Sequence, residues 1–121
     1  MLFMHIVDDY YLQGVLAQMK QKSWWEKNYP DPMYKNDYKV ALAMHSFSWS
    51  FMVSLPAAVY MMVHVQSISI WFVCWIFVCA WHHYMIDDEK ANKKEYGLVI
   101  DQFLHIIQIV VGWLMMLRFT C

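Results

Sequence analysis

Three stretches of this chain are almost free of charge over the length of a membrane crossing. Residues 40–65 and 68–86 contain no Lys, Arg, Asp or Glu, and residues 98–117 contain one, Asp101. A helix needs about 20 apolar residues to cross roughly 30 Å of hydrocarbon. Burying three such helices in a water-soluble core would take a polar shell that 121 residues cannot supply. Apolar residues make up 60% of the chain and charged residues 16%, against about 45–50% and 25% in soluble domains. That balance excludes a disordered tail, a collagen-like fibre and a disulfide-stapled module. A net charge of −1 leaves no broad basic face, so nucleic acid is not an expected partner. The expectation is a single all-α domain over residues 1–121, an integral membrane four-helix bundle with short loops and membrane lipid as its surroundings.

The fourth helix would come from residues 1–19, which are apolar but interrupted by His5, Asp8, Asp9 and Gln13. A charge at the bilayer centre costs about 2.5–3.5 kcal/mol on insertion scales. This segment therefore either spans with its polar groups satisfied or lies along the interface as an amphipathic helix; spanning is favoured by the depth argument below. With no basic leader and no small-residue cleavage site, it does not read as a secretory signal.

Lysine placement predicts orientation. Lys20, Lys22, Lys27, Lys35 and Lys39 follow the first segment, and Lys90, Lys93 and Lys94 separate the third from the fourth. The positive-inside rule puts both loops in the cytoplasm and, if all four segments span, both termini outside in a multi-pass arrangement; Arg118 is the exception. Trp24, Trp25 and Tyr29 beside Pro30 and Pro32 suit the headgroup layer. Asp37 and Ser67 are expected helix N-caps, and Pro56 an expected kink.

Three histidine–aspartate pairs stand four residues apart: His5 with Asp9, His83 with Asp87, and Asp101 with His105. Such pairs share a helix face about 5–6 Å apart, the spacing needed by two ligands of one ion. Ionisable residues inside apolar spans are costly and mark functional sites by default. Gln13, Lys90 and Gln108 extend the three faces, and His45 stands in the second span with Ser48 nearby. At 1.5 Å per residue, Asp9 lies about 16 Å from Lys20, His45 about 9 Å from Lys39, and His83 about 10 Å from Lys90. Asp101 and His105 lie about 10 and 16 Å from Lys94, so all four segments deliver His or Asp to one cytoplasmic-side level.

Asp9, Asp87 and Asp101 would bring three negative charges into low dielectric, with Lys90 the only intrinsic cation nearby. With His5, His45, His83 and His105 beside them, a divalent metal is the economical neutraliser. Imidazoles and carboxylates without thiolate suit zinc, manganese, iron or nickel, as one or two ions. A metal-free hydrogen-bond or proton network is the alternative. His64 and His82 read as helix–helix hydrogen-bonding residues, and Asp8 and Asp88 as turned about 100° away toward loop or headgroup. Ser46, Ser48 and Ser50 read as helix packing. Cys74, Cys79 and Cys121 lack metal-motif spacing, and the methionines lack the clustering a copper path needs.

The runs His5-Ile6-Val7-Asp8-Asp9-Tyr10-Tyr11-Leu12-Gln13, His45, His83-Tyr84-Met85-Ile86-Asp87-Asp88-Glu89-Lys90 and Asp101-Gln102-Phe103-Leu104-His105 resemble, in this order, domain of unknown function 3307. That family comprises small integral membrane proteins of bacteria and their phages, and Asp8 stands where a glycine is common. The resemblance implies a bacterial or phage membrane setting and supports the polar residues as a set; it implies no reaction.

The expected function is a metal-dependent hydrolase acting on a lipid-borne ester or phosphoester, or on a small anionic substrate at the cytoplasmic leaflet. His5, Asp9, His45, His83, Asp87, Asp101 and His105 would hold metal or orient its ligands. Gln13 and Gln102 would position substrate or water, Lys90 would bind an anionic group, and Asp9 or Asp101, whichever is not itself coordinated, would act as general base. A proton or metal-ion carrier would use the same groups but calls for polar residues in the outer half, which is mostly apolar. A non-catalytic structural or regulatory role is the third reading. No GxxxG seam points to an oligomeric state.

Overall fold

The computed structural model describes residues 1–120, and no strand occurs among them. The first segment is not one continuous helix. Helix α1 (Leu2–Ile6) widens into a π-helical turn at Val7–Leu12, and the chain then breaks before α2 (Leu16–Met19). Gly14 makes the break at φ +49°, a left-handed conformation costly for a residue with a Cβ. A Cβ there would touch only the Leu12 carbonyl at 3.8 Å, so the requirement is conformational rather than steric. Helix α3 (Lys22–Asn28) follows, ending before Pro30 and a 3₁₀ turn at Pro32–Tyr34.

Three long helices complete the molecule: α4 (Asp37–Tyr60), α5 (Ile70–Asp88) and α6 (Leu98–Thr120). With their adjoining turns, Pro32–Val65, Ile70–Lys93 and Leu98–Arg118 are long and apolar enough to cross a membrane. The first segment is not among these three spans. Two expected caps are displaced. Asn36 precedes α4 and Asp37 lies in its first turn, where a carboxylate still favours the helix dipole. Ser69, not Ser67, caps α5 by accepting from the Trp71 amide at 3.2 Å. Pro56 lies inside α4.

Burial is inside-out for a protein in water. His83, Asp101 and Ser50 are 0% exposed, whereas Val99 is 83% and Trp71 68% exposed. Apolar flanks around a polar centre suit a hydrocarbon solvent. Helix α4 makes its most extensive contact with α5. It buries Ala41, Ser46, Ser50, Ser54 and Ala57, small residues of the kind that let membrane helices approach closely. The Ser46 hydroxyl donates to the Leu42 carbonyl at 2.7 Å, so its polarity is spent within its own helix.

Two apolar clusters follow each other along successive turns of α4. Trp49, Val53 and Ile109 pack with Met1, while Ala57, Met61 and Phe72 pack with Ala58, Ile76 and Met116. The second cluster draws only on α4, its terminal turn, α5 and α6. At the other end the two lysine-bearing segments meet. Asn92 accepts from the Lys22 amide at 2.7 Å and donates to the Lys20 carbonyl and to Asp88. Trp24, Trp25, Tyr29 and Tyr34 form an aromatic cluster there, with the Trp25 indole donating to the Met19 carbonyl at 2.6 Å.

Candidate metal centre

The seven expected ligands gather at one level of the bundle, although they come from four separate stretches of chain. His5 and Asp9 arrive on α1 and its π turn, His45 on α4, His83 and Asp87 on α5, and Asp101 and His105 on α6. His45 Nε2 is the focus: it lies 3.1 Å from His83 Nε2, 3.2 Å from Asp87 Oδ2 and 3.3 Å from Asp9 Oδ1. Ligands about 2.0–2.1 Å from a tetrahedral ion stand roughly 3.3–3.4 Å apart, so these separations are close to coordination edges. A second convergence flanks the first. His105 Nε2 lies 3.5 Å from Asp87 Oδ1 and 3.5 Å from Asp101 Oδ1. Ligand atoms of Asp9, His45 and His83 lie within 4.8 Å of one another, as do those of His83, Asp87 and His105.

His5 stands apart from both groups, and hydrogen bonding explains why. The buried Trp49 indole donates to His5 Nδ1 at 2.8 Å, so that nitrogen carries a lone pair. The other nitrogen is then the N–H and donates to Gln102 Oε1 at 3.1 Å. Gln102 in turn donates through Nε2 to Asp101 Oδ2 at 3.0 Å, where Lys90 Nζ also donates at 2.5 Å. A one-way chain thus runs from Trp49 through His5 and Gln102 to Asp101. Both nitrogens of His5 are engaged in it, and His5 Nδ1 also lies 3.4 Å from Asp9 Oδ2. Gln13 places its amide nitrogen 3.0 Å from His45 Nε2.

Several participants escaped the sequence reading. Asp8, expected to face loop or headgroup, is buried; it accepts from Ser48 at 2.7 Å and lies 3.8 Å from His45 Nδ1. The 100° step of an α-helix does not hold across a π turn, whose wider spacing brings both neighbouring aspartates toward the bundle. Ser48 is accordingly more than packing. Lys20, expected at the cytoplasmic surface, reaches inward to Asp87 Oδ2 at 2.6 Å with only 12% of its side chain exposed. The break at Gly14 turns the chain back and invalidates a straight 1.5 Å-per-residue rise between Asp9 and Lys20. Lys90 is therefore not the only cation at the site. Trp49 also lies face to face with His83, ring centres 4.1 Å apart at 15°; nothing in its spacing separates it from ordinary apolar core. His105 also packs against His83, ring centres 4.4 Å apart at 29°, and lies 5.5 Å from Trp49.

Other candidates fall outside. Gln108 donates to the Cys79 carbonyl at 2.7 Å and links α6 to α5. His64 and His82 are exposed, with His64 against Tyr60. Cys79 is buried and Cys74 exposed, while Cys121 lies outside the described residues. Beyond the spans, the Tyr96 hydroxyl donates to the Ile86 carbonyl at 2.7 Å; burial first, and then the Glu89 carboxylate, pushes its pKa up.

Charge accounting shows what the cluster can do. Asp8, Asp9, Asp87 and Asp101 face Lys20 and Lys90, leaving a formal −2 if every imidazole is neutral. One divalent ion, or two imidazolium protons, cancels it. Asp9 Oδ1 and Asp101 Oδ1 are buried without a hydrogen-bond partner, yet both are aimed at a histidine nitrogen. Beside the cluster a groove of about 470 Å³ opens on the flank of the bundle, walled by Leu2, Ile6, Tyr10, Tyr11 and Ile106 and reaching His5 and Gln102.

Neither a curated protein nor a solved structure matches the chain. A family model does, over residues 1–120. The chain therefore belongs to the family described as Protein of unknown function (DUF3307).

Proposed function

We propose that this protein is a multi-pass protein of the bacterial inner membrane that binds a divalent ion among Asp9, His45, His83 and Asp87. Zinc, manganese and iron fit the nitrogen and oxygen donors. The carrying observation is the set of 3.1–3.3 Å separations around His45 Nε2, together with the unpartnered, buried Asp9 Oδ1. The meeting of both lysine-bearing segments at one end of the bundle supports a cytoplasmic-side site, with the termini outside if the first segment also crosses.

The reaction we infer is hydrolysis of an ester or phosphoester borne by a lipid. A bound divalent ion supplies a water of near-neutral pKa. The apolar groove ending at His5 and Gln102 suits an acyl chain whose polar end turns toward the cluster. Asp101, which this ion leaves uncoordinated, would take the proton, Gln13 would orient the group beside His45, and Lys90 would offer its ammonium to an anionic head.

The contacts of His45 with Asp9 and Asp87, and of His105 with Asp87 and Asp101, favour a second reading, a metal-free proton relay in which imidazolium supplies the missing charge. Elemental analysis of protein purified in detergent separates the two. The expected result is one divalent ion per chain, lost in Asp9→Ala and His83→Ala variants that retain helical circular dichroism. Folded wild-type protein that stays metal-free after equilibration with zinc, manganese and iron would overturn the metal reading in favour of the relay.

A further inference from the structure

The two carboxylate oxygens of Asp87 face different partners. Oδ2 lies 3.2 Å from His45 Nε2 on the side of the proposed ion, and Oδ1 lies 3.5 Å from His105 Nε2 on the other. His105 Nε2 is equally 3.5 Å from Asp101 Oδ1. Asp101 is fully buried, and this oxygen has no hydrogen-bond partner. His105 Nε2 thus stands between carboxylate oxygens from two helices, 3.5 Å from each.

Resting on the metal reading above, we propose that Asp87, Asp101 and His105 form a second divalent-ion site, bridged to the first through the Asp87 carboxylate and held closed by Lys90. The ammonium of Lys90 sits on Asp101 Oδ2 at 2.5 Å and supplies the positive charge that a second ion would bring. Its side chain is 31% exposed, against 12% for Lys20, so Lys90 has the easier route out to the headgroup layer. Charge sets the order of loading. With both lysines in place one divalent ion neutralises the cluster; a second that displaces Lys90 leaves it at a formal +1 and so binds more weakly.

Manganese titration of the detergent-purified protein, followed by elemental analysis and electron paramagnetic resonance, tests this. Wild type takes a first ion with the signal of isolated manganese and a second, weaker one that converts it to an exchange-coupled signal; carboxylate-bridged pairs stand about 3.5–4 Å apart. Lys90→Met lowers the second Kd roughly tenfold or more, because the competing buried ammonium is gone. Lys90→Arg keeps the cation and retains weak second binding, which covers the case of a misfolded Lys90→Met. His105→Ala keeps the first ion and loses the second. A single ion in Lys90→Met at saturation, two uncoupled ions, or loss of both ions in His105→Ala would overturn the proposal while leaving the first site standing. Wild type that binds no manganese, zinc or iron would remove the metal reading, and this one with it.

Discussion

Replacing Trp49 with phenylalanine tests the one-way hydrogen-bond chain directly. Phenylalanine keeps an aromatic face against His83 but has no N–H for His5 Nδ1. The lost bond is worth about 0.6 kcal/mol on average between membrane helices, and up to about 1.7. Trp49 is fully buried, so the smaller ring also leaves a void, adding roughly 1 kcal/mol at about 24 cal/mol per Å³. The total expected loss is about 1.6–2.7 kcal/mol, read from reversible unfolding in mixed micelles. A structural change accompanies it. Freed from the indole, His5 moves its proton to Nδ1 and donates to Asp9 Oδ2, 3.4 Å away. Its Nε2 then becomes an acceptor facing Gln102 Oε1, and the Gln102 amide must turn over, withdrawing its N–H from Asp101. Nitrogen-15 NMR of labelled histidine reports the tautomer, expected as Nε2–H in wild type and Nδ1–H in Trp49→Phe. A double-mutant cycle with His5→Ala should show coupling of about 1 kcal/mol. An Nδ1–H tautomer in wild type, or coupling below about 0.3 kcal/mol, would refute the reasoning.

Three further substitutions separate buried from exposed charge and locate a titrating group. Lys20→Met breaks the pair with Asp87 and should cost about 3–5 kcal/mol, because it strands a buried carboxylate. Lys22→Met, removing an exposed pair with Glu26, should cost less than about 1 kcal/mol in the same unfolding assay. Tyr96 titrates above its ordinary value in the folded chain, so the neutral phenol is favoured by folding. The stability it contributes is complete below about pH 10 and fades as pH rises through the folded pKa. Tyr96→Phe should lose the bond to Ile86 at neutral pH and show a smaller decline in alkali; equal alkaline slopes would remove Tyr96 from this role.

The candidate site was legible to the extent that it obeys helical spacing. His83 with Asp87, and Asp101 with His105, lie within regular α-helix, where a four-residue step keeps two side chains on one face. His5 and Asp9 obey the same step, and their 3.4 Å contact survives the start of the π turn. What was misread lies where the helix stops being regular or where a partner comes from elsewhere. Asp8 enters the cluster because the π turn widens the step, and Lys20 because Gly14 breaks the rise. Trp49 is indistinguishable in sequence from an apolar core residue until His5 is known to lie against its N–H.

Hydrophobicity is a property of each segment alone, so the primary structure by itself determined that three long apolar helices would form and that His83 with Asp87, and Asp101 with His105, would each share a helix face. Solvation by hydrocarbon is decided residue by residue. Which polar atoms meet depends instead on how separate segments rotate and bend against one another, and a sub-ångström change in that fit makes or breaks a hydrogen bond. Only the tertiary structure therefore decided that His5 faces Trp49 and Gln102, that Lys20 reaches Asp87, and that Asp87 presents one oxygen to each histidine group.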